Sequence, residues 1–136
     1  MPATILDGKA CAADLEQRLI SEISSMNLVP HLAVIIVGDD PASHVYVRNK
    51  IKSCERLGIK STHIELSSEV GQDELQSKII EMNNDDSIHG ILIQSPLPSH
   101  LNEEALTDLI DPRKDVDGFH PSNLGRIVQG RKNGMV

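Results

Sequence analysis

Aromatic side chains are nearly missing from this chain: there is no tryptophan, one tyrosine (Tyr46) and one phenylalanine (Phe119). Because 39% of the residues are nonetheless apolar, the core has to be aliphatic. Positive charge is also scarce. Lys and Arg total 13 against 20 Asp and Glu, a formal charge of −7, which disfavours nucleic acid or an anionic membrane as the main partner; the Arg131-Lys132 pair is too short to reverse that. Only Cys11 and Cys54 are present, with no CxxC and no Cys/His spacing suited to zinc, so two reduced thiols are expected. No apolar run is long enough for a membrane span, and MPATILDGKA has no signal-peptide pattern. The simplest expectation is a soluble, cytoplasmic protein. Neither GxGxxG nor GxxxxGK[ST] occurs, so the chain offers no known phosphate cradle. Repeats and low-complexity stretches are missing too, and 136 residues suffice for one domain with a real core.

What is present alternates between two periods. Asp7 to Met26 predicts a helix, capped by Asp7, with Leu15, Leu19, Ile23 and Met26 at helical spacing. LAVIIV, residues 32–37, is a β-branched run of the kind buried on both faces of a parallel sheet. A second strand is predicted over 60–66, near an edge, then a helix over 72–83, and a third strand over 88–93, IHGILI. Asn102 is placed to cap a short helix carrying Leu106, Leu109 and Ile110. Residues 111–126 read as a polar loop, and the tail from 126 has no clear period. This order predicts an α/β three-layer sandwich with a mainly parallel sheet. Ligands of such sheets gather beyond the carboxyl ends of the strands, where GDDPAS and QSPLP both fall.

The segment Asp39 to Gly58 carries the sharpest signal. Asp40 caps a helix, Pro41 opens it and Gly58 stops it. Val47, Ile51 and Cys54 form its apolar stripe. Lys50 points to that packed side, one turn from Tyr46, and desolvation there favours a neutral amine able to carry protons. The alternative is a lysine that snorkels to the rim and does nothing more. Gln94, at the end of the third strand, can hold such an amine by its carbonyl and keep its NH₂ for a substrate, or merely satisfy loop backbone. Asp117, in KDVDGFHP, is either an Asx-turn former or a carboxylate that reads a flat, amidine-like ring edge through two parallel hydrogen bonds. Asp115 and Asp117 as a metal pair is the weaker reading, for want of further ligands at convincing spacing. Ser43 shares the face of Lys50, but no histidine is placed to activate it as a nucleophile.

Taken together, VGDDPASHVYVRNKIKSCERLGI, HGILIQSPLP and DPRKDVDGFHPSNLGR closely resemble the bifunctional methylenetetrahydrofolate dehydrogenase/cyclohydrolase family, the FolD type. The resemblance implies a folate-binding catalytic domain over residues 1–126 and, in 127–136, the start of a linker toward a dinucleotide-binding domain. It implies oxidation of 5,10-methylenetetrahydrofolate with NADP⁺ or NAD⁺ and hydrolysis of the methenyl product to 10-formyltetrahydrofolate. Lys50 would be the catalytic lysine, Gln94 its tuning partner and Tyr46 the stacking face for the folate ring. Asp117 would anchor the pterin edge, Ser43 would support the surroundings of the lysine, and Val47, Ile93 and Ser95 would line the pocket. The family commonly has Leu where this chain has Ser95, which makes that wall less apolar. No cofactor is expected on this stretch alone. Homodimers are expected of the full-length family, and the isolated stretch is expected either as a monomer or associating through apolar surface left bare. The alternative function is a folate or heterocycle binding module without turnover.

Overall fold

In a computed structural model, which describes residues 5–131, the apolar run His31–Val37 (β1) takes the centre of the sheet, as its lack of any polar face requires. Around it the chain runs α1 (Gly8–Ser25), β1, α2 (Pro41–Leu57), β2 (Lys60–Leu66), α3 (Gln72–Asn83), β3 (Gly90–Ile93), α4 (Glu103–Leu109) and α5 (Pro121–Val128). Strand order is β2-β1-β3, with both pairings parallel. Ile35 faces Ile64 on one side and Ile93 on the other. β2, with its polar alternation, lies at an edge as its sequence predicts.

The two faces of β1 build two cores. Ala33, Ile35 and Val37 pack with Leu75, Ile79 and Met82 of α3 and with Leu106 and Ile110 around α4. Val34 and Ile36 pack with Leu92 and with Val47 of α2. Each fully buried aliphatic side chain contributes about 1.5–3 kcal/mol, so the sheet is held between two helical layers without aromatic help. α1 adds outside this sandwich: none of its residues is buried, and the Arg56–Glu16 ion pair at 2.7 Å ties it to α2.

Side chains close most of the helix starts. Asp7 accepts from the N–H groups of Lys9 and Ala10, and Asn102 from that of Ala105; such caps are worth about 1 kcal/mol each. The carboxyl end of α3 is closed from a distance. The Lys114 ammonium donates to the carbonyls of Met82, Asn83 and Asp85 at 2.8–2.9 Å, which satisfies orphan acceptors and complements the helix dipole.

Three features depart from the sequence pattern. β3 begins at Gly90, not at 88, because the Ile88 N–H turns back to the Asp85 carbonyl. Residues 121–128 form a helix where a loop and a shapeless tail are expected. Pro121 opens it and the Ser122 N–H donates to the imidazole of His120 at 3.2 Å, so α5 runs through the expected boundary at 126. Residues 132–136 of the expected linker lie outside the described residues. His31 is buried, its Nδ1 2.8 Å from the Ser87 carbonyl oxygen and its Nε2 2.8 Å from the Thr62 hydroxyl, although a surface place is the ordinary expectation for the histidines. Cys54 is buried and burial pushes its thiol pKa up, while Cys11 is exposed.

Candidate active site

Gly38, with φ 78°, turns the chain from β1 into α2 in a conformation that favours glycine. Asp40 then caps α2 by accepting the Ser43 N–H at 2.7 Å. That backbone N–H, followed by the Ser43 hydroxyl, holds the Asp40 carboxyl below its usual pKa. α2 is thereby fixed at its start, and Lys50 reaches the end of β3.

There the Lys50 Nζ donates to Gln94 Oε1 at 3.0 Å. Both residues are half-buried. Gln94 is itself anchored, its backbone N–H donating to the Ile35 carbonyl at 2.8 Å, so the acceptor for the lysine is built directly onto the central strand. The amide NH₂ is not wholly free. One N–H donates to the Ser95 carbonyl at 2.7 Å, which leaves a single hydrogen for a ligand. The same carbonyl accepts from the hydroxyl of buried Ser43 at 3.5 Å, and the Ser95–Pro96 peptide in this turn is cis. Ser43 thus braces the turn against α2.

Tyr46 stands one turn before Lys50 with 62% of its surface exposed, a ring face open to a planar ligand. Val47 is packed in the core beneath it, against the sheet. Ile93 and Ser95 line a small pocket with Glu103, Asp117 and Phe119. Ser95 does more there than reduce apolarity, since its hydroxyl donates to the Glu103 carboxylate. Glu103 was legible only as an acid in the first turn of a helix; its bond to Ser95 depends on how the QSPLP turn folds back.

Asp117 reaches solvent, yet protein on one side of its carboxyl pushes its pKa up by desolvation. The Lys50 charge pulls the other way, and the Asp115 charge adds to the rise. The segment carrying it is not a free loop. Asp115 forms a parallel bridge with Ile91, and the Ile91 N–H donates to the Lys114 carbonyl at 2.7 Å. Gly90 makes room for this approach, since a Cβ there would stand 2.5 Å from Val116 Cγ1. Asp115 turns inward and both its oxygens accept N–H donors. Among the described residues no group of three or more His, Cys, Asp or Glu is arranged to hold a metal ion.

Lys50, Gln94, Ser43, Ser95 and Asp117 therefore collect where parallel sheets bind their ligands, beyond the carboxyl ends of the strands, and the chain is an α/β domain with a candidate site at that end. The model of the tetrahydrofolate dehydrogenase/cyclohydrolase catalytic domain matches residues 6–117, and the chain belongs to that family. It is 53% identical over 130 residues to the bifunctional protein FolD of Prosthecochloris aestuarii, covering 93% of this chain and 44% of that protein. To the Ehrlichia canis protein of the same name it is 49% identical over 140 residues, covering 100% of this chain and 47% of that one. Among solved structures, the FolD methylenetetrahydrofolate dehydrogenase/cyclohydrolase of Campylobacter jejuni superposes with a TM-score of 0.92 at 44% identity, over 98% of this chain and 48% of that one. The Trypanosoma brucei enzyme, complexed with NADP cofactor and inhibitor, superposes with a TM-score of 0.90 at 32% identity, over 100% of this chain and 48% of that one. The chain thus spans about half the length of the curated relatives it matches.

Proposed function

We propose that residues 1–126 are the folate-binding catalytic half of a one-carbon enzyme, with 127–136 leading toward a dinucleotide-binding domain. The whole enzyme oxidises 5,10-methylenetetrahydrofolate to the methenyl compound with NADP⁺ or NAD⁺ and hydrolyses that to 10-formyltetrahydrofolate. The observation that carries this reading is the 3.0 Å bond from the Lys50 amine to Gln94 Oε1, near enough to Asp117 for the lysine charge to act on that carboxyl. The family match supports it, and the NADP complex of the Trypanosoma brucei relative supports NADP as the cofactor. The enzyme works in the cytoplasm and is a homodimer when whole; this stretch alone is either a monomer or associates through apolar surface left bare.

In this site Tyr46 stacks on the folate ring and Asp117 accepts two hydrogen bonds from its amino-pyrimidine edge, while Val47, Ile93 and Ser95 support the ring. For hydrolysis, water adds to the one-carbon bridge. Lys50 relays one proton from that water to the departing ring nitrogen. The second proton leaves to solvent and the formyl group stays on the other nitrogen. Gln94 holds the amine in place without giving it a counter-charge.

The start of α2, where the first strand-to-helix turn could receive a pyrophosphate, is filled by the Asp40 carboxylate on the Ser43 N–H, so a dinucleotide phosphate at that turn would meet like charge.

Calorimetric titration with 5-formyltetrahydrofolate tests the binding half of the proposal. The wild-type chain binds, and Tyr46→Ala weakens binding by about tenfold, as loss of one stacking face predicts. Equal binding by both would remove Tyr46 from the site, and no binding by the wild type would sink the folate reading.

A further inference from the structure

Of the two acids flanking Val116, the proposed chemistry uses only Asp117. Asp115 has just 2% of its surface exposed, an unusual place for a carboxylate, and its bonds show what it holds. Its Oδ1 accepts the Gly118 backbone N–H at 3.0 Å. Its Oδ2 accepts the His120 backbone N–H at 2.8 Å and the Asn123 side-chain amide at 2.9 Å. The two backbone donors lie one and three residues beyond Asp117, so this carboxylate closes the chain around Asp117 from below. Gly118 has a φ of 70°, a left-handed turn within that closure.

The third donor fixes the closure to the rest of the fold. Asn123, on α5, is fully buried, and its amide also donates to the Pro112 carbonyl at 2.8 Å. Flipping the amide would press its oxygen against the Asp115 carboxylate and the Pro112 carbonyl, so the two acceptors lock one orientation. They do so although Asn123 Oδ1 has no hydrogen-bond partner among the described residues, a costly omission for a buried acceptor. On its other side Asp115 is tied to the sheet through the bridge to Ile91. Sheet, helix α5 and the Asp117 turn thus meet at one carboxylate.

We infer that Asp115, through Gly118, His120 and Asn123, is the positioning residue that holds Asp117 in place for the ring edge of the bound folate; the inference rests on the function proposed above. A pair of parallel hydrogen bonds to a flat edge needs a carboxylate fixed in angle as well as place. Without the Asp115 charge, the buried Gly118 N–H and the part-buried His120 N–H lose their acceptor. They regain one only if the turn swings out to water, and Asp117 swings with it.

Asp115→Asn is the sharp test, because an amide cannot serve all three donors. One orientation sets its NH₂ against Gly118, the other against His120 and Asn123. The affinity for 5-formyltetrahydrofolate is measured by calorimetry for the wild-type chain, Asp115→Asn, Asp117→Asn and the double variant. Asp115→Asn is expected to weaken binding by about ten- to a hundredfold, the loss of one charge-assisted contact. In the Asp117→Asn background it should cost no more than about twofold, since the contact it positions is already gone. A merely structural Asp115 would lower affinity by the same factor in both backgrounds, and that result overturns the inference. Unchanged binding by Asp115→Asn beside weakened binding by Asp117→Asn overturns it too but leaves the folate reading intact, whereas a wild-type chain that does not bind overturns both. If circular dichroism shows Asp115→Asn unfolded, the same cycle is run with Asn123→Ala, which removes one of the three donors. A loss of about three- to tenfold confined to chains that keep Asp117 supports the inference, and an equal loss in both backgrounds overturns it.

Discussion

Replacing Gln94 by Glu keeps the side chain's length and puts a carboxylate where the amide oxygen now accepts from Lys50 at 3.0 Å. Opposite unit charges at that separation attract by about 5 kcal/mol at an effective dielectric of about 20. The crevice is only half-buried, so desolvation and screening reduce the net effect to about 2 kcal/mol. Even that smaller figure strengthens the hold on the Lys50 amine by about thirtyfold. Because the amine must move to carry the proton from water to the ring nitrogen, Gln94→Glu slows hydrolysis of the methenyl compound by about thirtyfold. KM should rise as well, because the amide hydrogen left for a ligand and the bond to the Ser95 carbonyl are both lost. The assay is the fall in near-ultraviolet absorbance of 5,10-methenyltetrahydrofolate, with Gln94→Leu as the uncharged comparison. Wild-type activity in Gln94→Glu would refute the reasoning.

Two other perturbations probe the frame around the site. In Gly90→Ala the new methyl lies 2.5 Å from Val116 Cγ1, so the segment carrying Asp117 must shift at a cost of about 1–3 kcal/mol; a lower urea midpoint together with weaker 5-formyltetrahydrofolate binding is expected, and unchanged binding would contradict that coupling. Asp111 is held down to a pKa of about 2, from 3.8, first by the Arg113 side-chain hydrogen bonds and then by the Arg113 N–H. Its folded pKa is depressed, so the stability it contributes is present above 3.8 and is lost as pH falls toward about 2. In Asp111→Asn, urea midpoints should fall less steeply across that window than in the wild type, and parallel slopes would refute this assignment.

The features legible in the sequence were those written within a few residues. Asp40, Pro41 and Gly58 mark both ends of α2, and LAVIIV announces a strand with two buried faces. The stray lysine on the packed side of α2 is visible from helical period alone, and the Gln94 turn follows from its place after a buried strand. What stayed hidden depends on partners distant in sequence. Lys114 looks like one charge in a polar loop, yet it closes the end of α3 some thirty positions earlier. Asp115 could be weighed only as a neighbour of Asp117, because its bridge to Ile91 exists only once the sheet is formed and its Asn123 donor only once α5 is. α5 itself offered Pro121 as a start signal, but it is short, has Gly125 inside it and is capped by a histidine, which weakened the helical pattern. The apolar spacing of α1 was read correctly as helical, though its residues lie on the outside of the sandwich.

In the proposed chemistry the Lys50 amine, held by Gln94, moves the proton in hydrolysis. The most direct test follows loss of the methenyltetrahydrofolate absorbance with the 136-residue chain, with Lys50→Met and with buffer alone. Hydrolysis above the buffer rate is expected of the wild-type chain, with a return to that rate in Lys50→Met. Equal rates in all three, or activity that survives in Lys50→Met, would contradict it.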